Sequence, residues 1–178
     1  MKKLSAVVFL FAAALSGCAG SRDISLRYAP DFPGVPAGTG KTITLAPTVD
    51  ARARTELGVL TGFTAILRKP RVKAPGQDIP AWVSGAIAAE LREAGFRTVP
   101  EGEGLRLETR LKEFHARGAA EIRLEATLYR DGEILFTKEY ESRAPVPFMG
   151  GTSGLEESFQ QAMRYINLRL VYDIIGKI

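Results

Sequence analysis

Few side chains in this sequence are equipped to make or break a bond. Cys18 is the only cysteine and His115 the only histidine. The chain has neither a Cys–His pair nor a G-x-S-x-G elbow. His115 follows a break in strand phase and reads as a surface or hydrogen-bonded residue, since a metal site would need further ligands beside it. Glu101 with Glu103 and Glu156 with Glu157 resemble acid–base pairs, but a turn accounts for the first and a helix N-terminus for the second. Gly38-Thr39-Gly40-Lys41-Thr42 suggests a phosphate loop. That motif needs a glycine where Val35 stands, with Gly34 one residue too far, and it must follow a strand and open a helix. Here proline-rich sequence precedes it and a strand-like run follows. These residues predict no catalytic residue, no metal, no nucleotide and no enzyme.

The setting of Cys18 is more informative. Lys2 and Lys3 precede about a dozen apolar or small residues, the n- and h-regions of a secretory signal. The run is shorter than the ~20 apolar residues of a bilayer-spanning helix. It ends in Leu15-Ser16-Gly17-Cys18, which resembles the lipobox of bacterial lipoproteins. The resemblance implies a diacylglyceryl group on the Cys18 thiol, cleavage after Gly17 and an acyl chain on the new amine. No other cofactor is expected. In enteric lipoproteins an Asp after the cysteine resembles an inner-membrane retention signal. Ala19 therefore implies an outer-membrane anchor, with the domain facing the periplasm.

Removing residues 1–17 takes away Lys2 and Lys3, so a formal charge of +4 becomes 4 − 2 = +2. That surplus is too small to indicate a nucleic-acid partner. With Cys18 lipidated no disulfide can form, and the core alone must stabilise the fold.

Three parts follow from the composition. Residues 1–17 are the signal. Residues 18–40 carry Pro30, Pro33 and Pro36 among several glycines and read as a lipidated flexible tether. Its 22 residues from Ala19 onward give a reach of roughly 25 Å. Residues 41–178 form a single domain. Within it, residues 42–45 predict a strand. Asp78 caps a helix with Pro80 in its first turn, a stripe of Val83, Ala86, Ile87, Leu91 and Ala94, and Gly95 as its stop. Residues 96–99 read as a strand. Leu105, Leu107, Thr109 and Leu111 alternate with charged residues, and Phe114 breaks the phase, predicting a bulge near Lys112 and Glu113. A hairpin follows around Asp131 and Gly132. A three-residue loop including Arg130 is expected, pairing Leu128 with Ile134, Ala126 with Phe136 and Ile122 with Tyr140. The last helix is expected from Leu155 to Ile175, capped by Ser153, with a stripe of Phe159, Ala162, Met163, Ile166, Leu170 and Ile174. The fold class is α+β: a mainly antiparallel or mixed sheet of about five strands, with two helices packed on one face.

Asp50-Ala51-Arg52, the helix ending Ala94-Gly95-Phe96, the alternating strand 105–111 and the closing helix resemble YajG-type bacterial lipoproteins. Auxiliary lipoproteins of envelope ABC transporters share a similar layout. The resemblance implies a small envelope domain and carries no catalytic residue. It leaves two roles open: a non-enzymatic module that binds an envelope protein, or a lipid-binding auxiliary of an ABC-type lipid transport system. An enclosed apolar cavity between sheet and helices would mark the second, and a filled core with exposed apolar residues the first. Two surfaces are candidates for contact. Arg68, Lys69, Arg71 and Lys73 would lie on anionic headgroups or simply in solvent. Val146, Phe148 and Met149 would dock into a partner or close the end of the sheet.

Overall fold

The computed structural model describes residues 21–34, 38, 40–59, 71–147 and 150–178. Leu15, Ser16, Gly17 and Cys18 lie outside them, as do Arg68, Lys69, Phe148 and Met149.

Alternation builds the centre. Strands β6 (Leu105–Ala116), β7 (Ala119–Arg130) and β8 (Glu133–Pro145) form an antiparallel meander. Leu107, Thr109, Leu111, Phe114 and Ala116 of β6 are buried, and so are Ala120, Ile122, Leu124, Ala126 and Leu128 of β7. The expected bulge falls between Leu111 and Glu113. One extra residue there returns Phe114 to the inner face, opposite Ile122.

The β7–β8 hairpin corrects the expected register. Arg130 pairs with Glu133, leaving a two-residue loop in which both Asp131 (φ 51°) and Gly132 (φ 87°) are left-handed, as a tight hairpin turn requires. A bulge then places Leu128 opposite Phe136, Leu124 opposite Tyr140 and Ala126 opposite Lys138. The bulge restores the inward phase of Phe136 that a longer loop was expected to supply.

Short strands complete the sheet on the other side of β6. β2 (Thr42–Leu45) lies parallel to it, Ile43 opposite Leu105, and β3 (Val49–Asp50) lies parallel to it further along, Val49 opposite Arg110. β5 (Arg97–Val99) runs parallel to β2 at the edge. The result is a mixed six-stranded sheet, β5-β2-β6-β7-β8 with β3 also on β6.

Helix α1 (Ile79–Glu93) leads into the edge strand β5. The Asp78 carboxylate accepts from the Ala81 N–H at 3.2 Å, Pro80 stands in the first turn, and Gly95 takes φ 89° just past the end. Helix α2 (Gly151–Ile175) starts four residues before the expected Leu155. Its first residue follows Gly150, and Ser153 Oγ donates to the Gly150 carbonyl at 3.0 Å instead of capping. Glu156 and Glu157 consequently sit past the first turn. All six residues of the expected α2 stripe are buried. α2 covers β7 and β8, and α1 packs on α2 and against β5. Between the layers Phe114 stacks on Phe159 at 4.3 Å, with Trp82 edge-on to Phe114 at 5.7 Å. Each large side chain buried there stabilises by roughly 1.5–3 kcal/mol.

The expected flexible tether is different. Over residues 21–34 it is a strap packed on the domain, with Ile24, Leu26 and Phe32 buried. Its first residues, β1 (Arg22–Asp23), pair in parallel with β4 (Val72–Lys73). Leu26 exchanges two hydrogen bonds with the Gln77 amide at 2.7 and 3.0 Å, and Ser25 N–H donates to Glu156 Oε1 at 2.7 Å. The apolar alternation of Ile24, Leu26 and Tyr28 gives this segment a buried edge that outweighs the chain-loosening effect of its prolines.

Candidate functional site

A polar cluster joins the strap to the two helices. Glu90 occupies a position on the inward stripe of α1, three residues after Ile87, and is wholly buried. Tyr28 Oη donates to Glu90 Oε2 at 2.5 Å, and the Asp31 N–H reaches Oε1 at 3.3 Å. Asn167 of α2 donates from Nδ2 to Tyr28 Oη at 2.9 Å, while its Oδ1 is buried with no partner among the described residues. Burial, and then the hydrogen bond to Glu90, push the Tyr28 hydroxyl well above the ordinary tyrosine range. It therefore stays a donor. With Glu90 and Asn167 buried and Tyr28 half-buried, the cluster ties the strap to both helices. Sequence reasoning missed it, although a carboxyl on an otherwise apolar helical stripe was a readable signal.

A second cluster lies beside the β1–β4 ribbon. The Arg52 side chain is only 5% exposed and forks onto Asp50, with Nε 2.8 Å from Oδ1 and Nη2 2.7 Å from Oδ2. Hydrogen bonds from Arg52 hold the Asp50 carboxyl below its usual range. Arg52 Nη1 is buried without a partner among the described residues. These residues border a hollow of about 650 Å³ that Leu57, Arg71, Val72, Lys73 and Gln77 also line. Of the expected basic cluster, Arg71 and Lys73 are thus exposed on the ribbon, Arg71 lying 3.7 Å from Glu56.

Other candidates are dispersed. His115 Nε2 is 3.2 Å from Glu121 on the outer face of the sheet, and Arg143 reaches the same carboxylate at 3.1 Å. Among the described residues no three metal-ligating side chains cluster. The outer face continues as ion pairs: Arg123 with Glu113 and Lys112 with Glu125. Val146 packs partly on the core, its N–H donating to the Gly118 carbonyl at 3.2 Å.

Tyr165 and Tyr172 of α2 are about half exposed. Seven residues apart, they share one helix face. Tyr172 also touches Phe32 of the strap, ring centres 5.5 Å apart.

Among the described residues no helix is long and apolar enough to cross a membrane. No protein-family model matches the sequence, and no curated protein matches it. Solved structures do match in fold. A Xanthomonas campestris protein of family DUF330 superposes with a TM-score of 0.64 at 15% identity, covering 88% of this chain and 95% of its own. A crystal structure titled only as an uncharacterized protein gives 0.61 at 10% identity, covering 87% and 99%. Lipoprotein GNA1162 from Neisseria meningitidis gives 0.37 at 14% identity, covering 58% and 81%, too low to read a shared fold from. At these identities the first two similarities establish a common two-layer α+β architecture.

Proposed function

We propose that this chain is a lipid-anchored accessory protein of the bacterial cell envelope, non-enzymatic, whose domain binds another envelope protein. The anchor reading rests on Leu15-Ser16-Gly17-Cys18 behind its signal-like run, and the outer-membrane placement with a periplasmic domain on Ala19. One observation carries the choice of role. Between sheet and α2, Phe114 stacks on Phe159 at 4.3 Å, while Tyr165 and Tyr172 stay exposed on one face of α2. A lipid-binding auxiliary of an ABC-type transport system would need an apolar chamber where that stack lies. Tyrosine, by contrast, is enriched in protein interfaces because it offers apolar area and a polar tip.

Two measurements test this. Cys18→Ser should leave a larger, unprocessed precursor, and an unmodified Cys18 in membrane-associated protein refutes the anchor. A photoreactive residue replacing Gln161, beside Tyr165, should give discrete protein adducts in intact cells, and one replacing Thr127 on the ion-paired face should not. Phospholipid adducts at position 161, or equal adducts at both positions, refute the protein-binding role of this face.

A further inference from the structure

The strap determines where on the domain a lipid on Cys18 would attach. Four peptide links separate Cys18 from Arg22, the first residue of β1. Fully extended they span at most roughly 14 Å. β1 itself is fixed. Arg22 N–H donates to the Arg71 carbonyl at 2.9 Å and Ile24 N–H to the Lys73 carbonyl at 2.8 Å, with Ile24 and Leu26 buried behind.

The ribbon has a defined place on the sheet. Ala116 N–H donates to the Leu57 carbonyl at 2.8 Å and Val72 N–H to the Gly58 carbonyl at 2.9 Å. Gly58 bridges Ala116 in parallel, and Val59 bridges Arg71 antiparallel. β4 and β1 therefore start level with the last residues of β6 and run back toward its middle. The β6–β7 turn, Arg117 and Gly118, lies at this end. The β7–β8 turn, Asp131 and Gly132, lies beyond the opposite end, where Arg130 pairs with Leu105. β6 has 12 residues, so the two ends are about 37 Å apart.

Arg22, Arg71, Lys73 and Arg117 are exposed at the ribbon end, with Asp23, Glu56 and, where α2 begins, Glu156 and Glu157 among them. The opposite end carries Glu101, Glu103, Asp131 and Glu133 alongside Lys41, Arg130 and Lys177.

We infer that the domain stands end-on on an anionic lipid surface, an inference that rests on the lipid-anchored reading above. Arg22, Arg71, Lys73 and Arg117 face the lipid phosphates, and the turn at Asp131 and Gly132 is held about 37 Å farther out. The reach from the anchor is comparable to a Debye length of ~10 Å, so the ribbon's charges stay within the field of the surface.

The test uses the processed protein, acylated on Cys18, in vesicles of phosphatidylglycerol and phosphatidylethanolamine. A fluorophore is placed on a cysteine introduced by Arg117→Cys or by Glu133→Cys, and nitroxide-headgroup lipid is the quencher. Quenching should be several-fold stronger at 117 than at 133. Adding Arg71→Glu with Lys73→Glu, both exposed, should weaken quenching at 117 while the melting temperature is unchanged. Flotation and intact mass read the anchor separately: protein that neither floats nor carries acyl mass refutes the anchored reading, and this inference with it. Acylated, floating protein whose two labels quench alike, or whose quenching ignores the charge reversal, overturns the end-on placement alone.

Discussion

Tyr28→Phe isolates what holds the strap down. The ring is kept, so no cavity opens, and only the hydroxyl is lost. That hydroxyl is the 2.5 Å donor to wholly buried Glu90 and the 2.9 Å acceptor for Asn167. A hydrogen bond to a carboxyl contributes between ~1 kcal/mol for a neutral pair and ~3 kcal/mol for an ionised one. Afterwards Glu90 keeps, among the described residues, only the Asp31 N–H at 3.3 Å. The Asn167 amide, whose Oδ1 already lacks a described partner, loses its acceptor as well, and an unsatisfied buried donor costs ~1–3 kcal/mol. Because the two losses share one atom and partly relax, a total of about 2–4 kcal/mol is expected. For a domain of this size that lowers the melting temperature by roughly 4–16 °C. Urea unfolding of the soluble chain measures it, and trypsin cleavage after Arg27 should quicken in parallel as the strap lifts. A loss below ~0.5 kcal/mol, the range of ordinary surface substitutions, with cleavage unchanged, would mean that the cluster does not bind the strap.

Three further outcomes are expected. Gly58→Ala should destabilise by more than the ~1–3 kcal/mol of a strained backbone conformation, because φ is +105° and the new Cβ would lie 2.1 Å from the Ala116 carbonyl oxygen; a thermal melt reads it. Asp78→Ala should remove the α1 cap and lower stability by ~1 kcal/mol, measured by urea titration. The third concerns acid. Burial opposes the charge of Asp173, yet hydrogen bonds from Lys138 at 2.6 Å and Tyr140 at 2.7 Å, with the charges of Lys138 and Arg169, hold its carboxyl below the ordinary 3.8. A depressed carboxyl stabilises the fold above its unfolded value and loses that contribution as pH falls through the folded one. Stability should therefore drop below about pH 4, and Lys138→Met should flatten that limb in melts taken from neutral pH downward.

Residues whose neighbours in sequence are also their neighbours in packing were legible. The α1 stripe, the α2 stripe and the bulge at Lys112 all follow from periodicity, because each buried face repeats along one continuous element. The strap was not, because Pro30, Pro33 and Pro36 dominate its composition while only Ile24, Leu26 and Tyr28 carry the alternation, and three residues make a weak period. Its partners, Arg71, Lys73, Gln77 and Glu90, lie some fifty to sixty residues away in sequence. The hairpin erred for a different reason. A bulge inside β8 and a longer loop both return Phe136 to the inner face, and sequence alternation alone does not distinguish them. Asp131 and Gly132, both residues that tolerate positive φ, were the evidence for the tighter turn.

The strap also sets the height at which a partner would be met. α2 begins at the anchor end, where Ser158 Oγ donates to the Pro145 carbonyl, and ends where Arg130 donates to the Lys177 carbonyl. It therefore runs the length of β7 and β8 over its 25 residues. At 1.5 Å per residue Tyr165 stands about 21 Å and Tyr172 about 32 Å along the helix from Gly151. On an end-on domain both tyrosines clear the headgroups. A free tether would let that face tilt to the membrane and bury its own tyrosines in lipid, whereas a pinned strap keeps them turned sideways toward a neighbour. Tyr28→Phe should then weaken the adducts formed from position 161 without touching that surface. The same change in a protein whose adducts persist at full strength would separate the partner contact from the strap and leave the tyrosine face acting alone.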